Sequence, residues 1–196
     1  METEHLAKNN TRWCRRLGRR LRAGEVVIMP TDTVYGLLAR ADSLTAIRRV
    51  YMIKHRDKSY PLLVLVSSLS MVRRYCYLNS KQAKTLQNIW SQARPTTVIL
   101  QHRGLLPRRL TGDSEGLAVR LPKSDFLRKI VRSVGVPLTA TSANLSGQPV
   151  LDAALAAQVF AAGSQPDLIV SGGTNVKRPS RLLRLDSSGE VTILRK

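Results

Sequence analysis

The sequence predicts an α/β fold, a sheet flanked by helices in a single domain spanning residues 1–196. Three observations predict it. Short apolar, β-branched runs alternate along the chain with segments of helical period. A length of 196 residues suits one compact domain with a sizeable core. No fixed repeat or low-complexity linker interrupts the pattern.

The elements follow in order. Residues 11–23 read as a basic helix, with Trp13, Leu17 and Leu21 on one face, Arg15, Arg16, Arg19, Arg20 and Arg22 around the rest and Gly24 as its stop. Residues 25–29 are a β-branched strand ending at Pro30, followed by the hydroxyl-rich loop Thr31-Asp32-Thr33-Val34-Tyr35-Gly36-Leu37. Asp42 or Ser43 can cap a second helix, whose apolar positions Leu44, Ile47, Val50, Tyr51 and Ile53 lead into Lys54-His55-Arg56. Pro61 opens a strand over 62–66, a helix begins at Ser80 and runs to Trp90, and 96–100 is a further strand.

Residues 117–121 form a strand that sets Arg120 among apolar neighbours, and 124–134 form an amphipathic helix. Residues 136–141 are a strand running into Ser142-Ala143-Asn144-Leu145-Ser146-Gly147, and 152–162 are an Ala-rich helix closed by Gly163. Strands at 168–170, 182–185 and 191–194 complete the fold, the last two as a hairpin across Ser187-Ser188-Gly189.

Composition narrows the function. With 32 Lys and Arg against 13 Asp and Glu, the formal charge is +19, which points to a polyanionic ligand or partner. An apolar content of 43% with 23% charged residues argues against disorder. No run approaches the roughly 18–20 apolar residues of a membrane span, and Glu2, Glu4 and His5 do not suit a secretion signal or transit peptide, so the expected location is cytoplasmic. Cys14 and Cys76 form no CxxC pair and read as buried thiols. His5, His55 and His102 are too scattered for a metal cluster.

Neither G-x-x-x-x-G-K-[ST] nor G-x-G-x-x-G after a strand occurs, and G-x-S-x-G is absent, which removes the common NTPase, dinucleotide and serine-hydrolase readings. What remains is a set of loops carrying hydroxyls and cations: 31–36, Lys54 with Arg56, Thr96 with Thr97, Arg120, Ser142 with Asn144, and Ser180. Taken singly, each has an ordinary structural use, as a helix cap, a turn or a complement to a helix dipole. Together they suit a phosphorylated ligand, because phosphoryl transfer relies on positioning and on cations more than on a protein nucleophile.

The strings Pro30-Thr31-Asp32-Thr33-Val34-Tyr35-Gly36-Leu37, Lys54-x-Arg56 before Pro61-Leu62, Ala118-Val119-Arg120-Leu121-Pro122 and Thr141-Ser142-Ala143-Asn144-Leu145-Ser146-Gly147 resemble, in order and spacing, the YrdC-like threonylcarbamoyl-AMP synthases. The resemblance covers about residues 24–195. It implies a twisted mixed sheet with flanking helices around a basic cavity. The implied enzyme is a nucleotidyltransferase that makes threonylcarbamoyl-AMP and pyrophosphate from L-threonine, bicarbonate or CO2, and ATP with Mg²⁺. Partner proteins would then place the threonylcarbamoyl group on tRNA beside the anticodon.

Carried over by resemblance, Lys54 and Arg56 are the phosphate-binding cations that offset charge in the reaction. Thr33, Arg120 and Ser180 contact threonine, Arg120 facing its carboxylate. Tyr60, Thr97, Ser142, Asn144 and Arg195 stand on the nucleotide side. Three strings differ from the family pattern: Ala93-Arg94-Pro95 replaces P-G-P, Tyr60 stands where Asn is common, and Pro179-Ser180-Arg181-Leu182 replaces P-S-T-V. The longer branch's extra C-terminal domain is not expected here, since Lys196 directly follows the last strand. A rival from another class is a non-catalytic RNA-binding or ribosome-associated factor using the 12–22 arginines with Arg108 and Arg109. A hydrogenase-maturation carbamoyltransferase relative is a third reading, without that group's acylphosphatase and zinc-finger modules.

Overall fold

The computed structural model describes residues 1–7, 10–149, 151–161, 163–172 and 179–196. In chain order its elements are β1 (Glu2–His5), α1 (Thr11–Arg22), β2 (Val27–Pro30), β3 (Tyr35–Arg40), α2 (Leu44–Lys54), β4 (Val64–Leu65), α3 (Leu69–Tyr75), α4 (Ser80–Ser91) and β5 (Thr96–Gln101). They continue with α5 (Arg108–Thr111), β6 (Gly116–Arg120), α6 (Asp125–Val134), β7 (Leu138–Ser142), α7 (Ala153–Val159), β8 (Leu168–Ser171), β9 (Arg181–Leu185) and β10 (Val191–Arg195).

The described strands form one mixed sheet of order β1-β8-β2-β3-β7-β4-β6-β5-β9-β10. Side chains alternate across it, so each strand feeds two layers. On one face Leu37, Ala39, Val64, Val66, Val98, Leu100, Leu117, Val119 and Leu183 join the larger core, with residues of α2, α4 and α7. On the other face Val27, Met29, Leu38, Leu65, Leu138, Leu168 and Val170 pack against α1 and α6. The Trp13 and Phe126 rings of those two helices stack at 5.7 Å. Their cover lies on the β8-to-β4 side of that face; among the described residues no helix joins this cluster over the strands from β6 to β9, and a cavity opens at the boundary.

The helices begin where the sequence offers caps. Ser43, Asn79 and Ser124 each accept a backbone N–H of the first turn, with a reciprocal Gln82 contact at α4. His55 (φ 49°) ends α2 in the left-handed region. Several boundaries differ from expectation. The first strand starts later, at Val27, because the Val26 N–H is drawn to the Asp167 carboxylate at 2.7 Å. The 62–66 run makes a regular ladder only at Val64–Leu65, since the Leu62 N–H turns to the Leu110 carbonyl. Helix α7 stops at Val159, where the core-seated Phe160 leaves helical geometry; Ala162, the last residue of the expected helix, lies outside the described residues.

Strands β1 and β3 and helices α3 and α5 are additions to the sequence reading. Residues 35–40, read in part as loop, form β3, antiparallel to β2 and β7 in the middle of the sheet. The charged segment Glu2–His5 runs parallel to β8 and is held by α1: Arg16 bonds Glu4, and Arg20 bonds Glu2 at 2.5 Å and Glu25 at 2.6 Å. Part of the first helix's positive charge is thus matched internally. Both cysteines are buried and free. No described helix is long and apolar enough to cross a membrane.

Candidate functional site

The cavity measures about 400 Å³. Its floor is made of small or short side chains on the uncovered face: Gly36 on β3, Ala140 on β7, Ala118 on β6 and Thr97 on β5. Alternation puts all four on one side of the pleat, and their small size leaves the room. A Cβ at Gly36 would meet the Thr31 methyl at 2.9 Å and Leu38 Cδ1 at 3.1 Å, so the close fit of the 31–34 turn on β3 requires glycine there.

Seven of the ten residues singled out in the sequence meet on this wall: Thr33, Arg56, Thr97, Arg120, Ser142, Ser180 and Arg195. Thr31 and Thr33 organise the turn, their hydroxyls 3.1 Å apart with Thr31 Oγ1 bonded to the Val34 carbonyl at 2.6 Å. Arg120 Nη1 donates to Thr33 Oγ1 at 3.1 Å. Thr97 Oγ1 and Ser180 Oγ lie 2.8 Å apart, bridging β5 to the start of β9, and Arg195 donates to the Ser180 carbonyl at 2.8 Å. Arg178, next to this segment in the sequence, lies outside the described residues.

The other three sit off the wall, each for a visible reason. Lys54 lies behind it, its Nζ engaged by the carbonyls of Ser142 and Asn144 and by Asn144 Oδ1. Asn144 is buried, occupied with Lys54, Ser142 and the Gln148 carbonyl. Tyr60 is 61% exposed, its ring 5.6 Å from the Arg56 guanidinium and its carbonyl accepting from Tyr51 Oη and Arg56 Nε. What Tyr60 brings to the site is therefore a hold on Arg56.

Asp32 was missed as a site residue. Its Oδ1 lies 3.3 Å from Arg120 Nη2, both side chains almost wholly buried, and its Oδ2 accepts the Lys123 N–H at 2.7 Å. The strand cation of β6 therefore has a partner inside the protein besides the ligand carboxylate that the resemblance implies. The signal was present: Asp32 is the one carboxylate in a loop of hydroxyls. Asp32 Oδ1 and Arg120 Nε both lack a hydrogen-bond partner, so the pair is incomplete as a network. Burial chiefly, with Arg195 adding to it, lowers the Arg120 pKa against the opposing pull of Asp32. Burial and Arg56 push Lys54 down to about 7.

Chemically, the wall offers three guanidinium groups and six hydroxyls, and no carboxylate stands among its described residues. It can hold anions and orient polar groups; it presents no activated nucleophile.

Comparison with known proteins agrees in kind. The family model Sua5/YciO/YrdC, described as telomere recombination, matches residues 19–196. A Bacillus subtilis threonylcarbamoyl-AMP synthase is 35% identical over 129 residues, 66% of this chain and 37% of that protein. This chain thus spans less than half the length of that relative. A Klebsiella pneumoniae threonylcarbamoyl-AMP synthase is 29% identical over 174 residues, covering 87% of this chain and 90% of its own. Among solved structures, Pyrococcus abyssi Sua5 complexed with L-threonine superposes with a TM-score of 0.79 at 28% identity, covering 94% of this chain and 53% of the other.

Proposed function

This chain belongs to the Sua5/YciO/YrdC family, and on that premise we propose that it is an L-threonylcarbamoyladenylate synthase. It takes L-threonine, bicarbonate or CO2, and ATP, and releases pyrophosphate with threonylcarbamoyl-AMP. The observation that carries this reading is the buried Arg120, held 3.1 Å from the Thr33 hydroxyl on the wall of a cavity that also presents Arg56 and the Thr97–Ser180 hydroxyl pair. A cation this deeply buried is costly unless anions meet it. Asp32 meets it only in part, which leaves it suited to an amino-acid carboxylate. The cavity's volume also falls in the range typical of small-molecule sites, about 300–1,000 Å³.

The amine of bound threonine combines with CO2 to form a carbamate, losing a proton. A carbamate oxygen then attacks the α-phosphorus of ATP; an O–P bond forms and the bond to pyrophosphate breaks. Arg56 offsets charge on the phosphoryl oxygens and Arg120 anchors the carboxylate. Thr33 and Ser180 face threonine, while Thr97, Ser142 and Arg195 face the nucleotide. The carbamate oxygen is already anionic, so no general base is needed. Mg²⁺ belongs to this scheme as a companion of the ATP phosphates, since the described wall supplies no carboxylate ligand for it.

Residues 1–196 act as one unit in this reading, in the cytoplasm, and the product passes to partner proteins that modify tRNA. Threonine-dependent pyrophosphate release from ATP and bicarbonate tests it; release equal to that without threonine would refute it.

Direct contact with tRNA is a second reading, favoured by a separate surface hollow of about 470 Å³ lined by Lys58, Arg108 and Arg109, with Asp113 3.2 Å from Arg108. A steep loss of tRNA affinity with salt would support it, and salt-insensitive or absent binding would refute it.

A further inference from the structure

Helix α2 ends in a lysine that reaches the loop behind the cavity. Lys54 is 1% exposed. Its Nζ donates to the carbonyl oxygens of Ser142 (2.5 Å) and Asn144 (2.7 Å) and to Asn144 Oδ1 (2.8 Å). Its own carbonyl accepts the Ser146 N–H at 2.9 Å. An ammonium has three protons, and here each has an acceptor, so none is left for a ligand.

We propose that Lys54 is a positioning residue that clamps the 142–146 loop onto the end of α2, leaving the nucleotide phosphates to Arg56. The two carbonyls and the amide oxygen converge on one point. Without the ammonium the Ser142 carbonyl would keep only the Asn144 N–H and Asn144 Oδ1 only the Ser142 hydroxyl, while the Asn144 carbonyl would lose its lysine donor and the loop would have to turn it outward to find water.

The clamp reaches the cavity through one further bond. Asn144 Oδ1 accepts from Lys54 and also from Ser142 Oγ, at 2.6 Å. Asn144 Nδ2 is committed to the Gln148 carbonyl. The amide orientation is thus fixed at both ends, and the Ser142 hydroxyl, which lines the cavity, must point its proton at Asn144. Ser142 then offers only lone pairs inward and acts as an acceptor for an N–H or O–H of the ligand. Arg56, two residues on, holds its guanidinium at the wall through the Tyr60 and Pro61 carbonyls. The two neighbouring cations therefore divide the work: one builds the wall, the other faces the anion.

This inference rests on the nucleotide reading above, and two readouts keep the two apart. Lys54→Met preserves length and removes every donor. Hydrogen exchange of the ligand-free protein should then rise about tenfold or more at amides 142–148, with the β5 amides unchanged. By calorimetry, adenosine and ATP should lose affinity by a similar factor, about tenfold. Unchanged exchange in the loop overturns the proposal. So does a loss confined to ATP with adenosine unaffected, the mark of a phosphate-binding cation. If the unaltered protein binds neither adenosine nor ATP, the nucleotide reading fails while loop exchange still decides the clamp. Should Lys54→Met not fold, Lys54→Gln, with a shorter neutral arm and two donors, is read by the same measurements.

Discussion

Arg120 and Asp32 form a buried ion pair 3.3 Å apart, each side chain 5% exposed or less, joining the last residue of β6 to the turn between β2 and β3. This pair sets the electrostatics of the cavity. Asp32 keeps the guanidinium charged and in place while leaving its Nε unmatched. Asp32→Asn should lower stability by about 3 kcal/mol, the usual cost of stripping a buried cation of its partner. Threonine, whose carboxylate would replace the lost charge, should raise the melting temperature of this variant more than that of the unaltered protein. Equal shifts in paired thermal melts would contradict the assignment.

Gly36→Ala tests the close approach of turn and strand. The added methyl meets Thr31 Cγ2 at 2.9 Å. Thr31 must then give way and carry the Thr33 hydroxyl with it, at a cost of about 1–3 kcal/mol. Stability should fall and the KM for threonine should rise; a variant with unaltered KM would show that the turn does not position Thr33.

The Thr97 and Ser180 hydroxyls share one hydrogen bond at 2.8 Å across the cavity edge. Thr97→Val leaves a buried serine without this partner and should cost about 1–2 kcal/mol of stability. Thr97→Ser keeps the hydroxyl and should restore most of the loss. Chemical denaturation of the two variants measures the difference; stability kept in Thr97→Val and lost in Thr97→Ser would mean that packing of the methyl, and not the hydrogen bond, holds the edge.

Proton linkage gives a further expectation. Burial and the Arg56 charge hold the Lys54 pKa down to about 7. An anion seated on Arg56 removes part of that repulsion, so the Lys54 pKa rises on binding. Between the free and the raised value the complex holds more protons than the free protein, and affinity should strengthen as pH falls toward 7. ATP titrations at about pH 7.5–8, roughly half a unit to a unit above the free value, in buffers of different ionisation enthalpy should therefore report proton uptake. Zero uptake or proton release would contradict the coupling.

Much of this was legible in the sequence because it is local. The apolar runs of β5, β6 and β7 and the capped, periodic helices α1, α2, α4 and α6 announce themselves within a dozen residues. Strand β3 did not, because Tyr35-Gly36 follows a hydroxyl turn and Arg40 ends the run; its pairing with β2 and β7 supplies what local propensity lacks. Strand β1 is charged at Glu2 and Glu4 and is a strand only because β8 and the arginines of α1 receive it.

The site divides in the same way. The motif loops identify the residues, and seven of them meet at one wall. Partners were not legible, because Asp32 meets Arg120, and Lys54 meets Asn144, only after the sheet brings together segments about 90 residues apart.

The central claim is that this cavity joins threonine, bicarbonate and ATP. Mass spectrometry of the products formed with isotopically labelled bicarbonate tests it most directly. The account predicts a threonylcarbamoyl adenylate that carries the label, lost when threonine is omitted and strongly reduced in Arg120→Met and Arg56→Ala. Pyrophosphate release with no labelled adenylate, or the labelled product at undiminished yield from both variants, would contradict it.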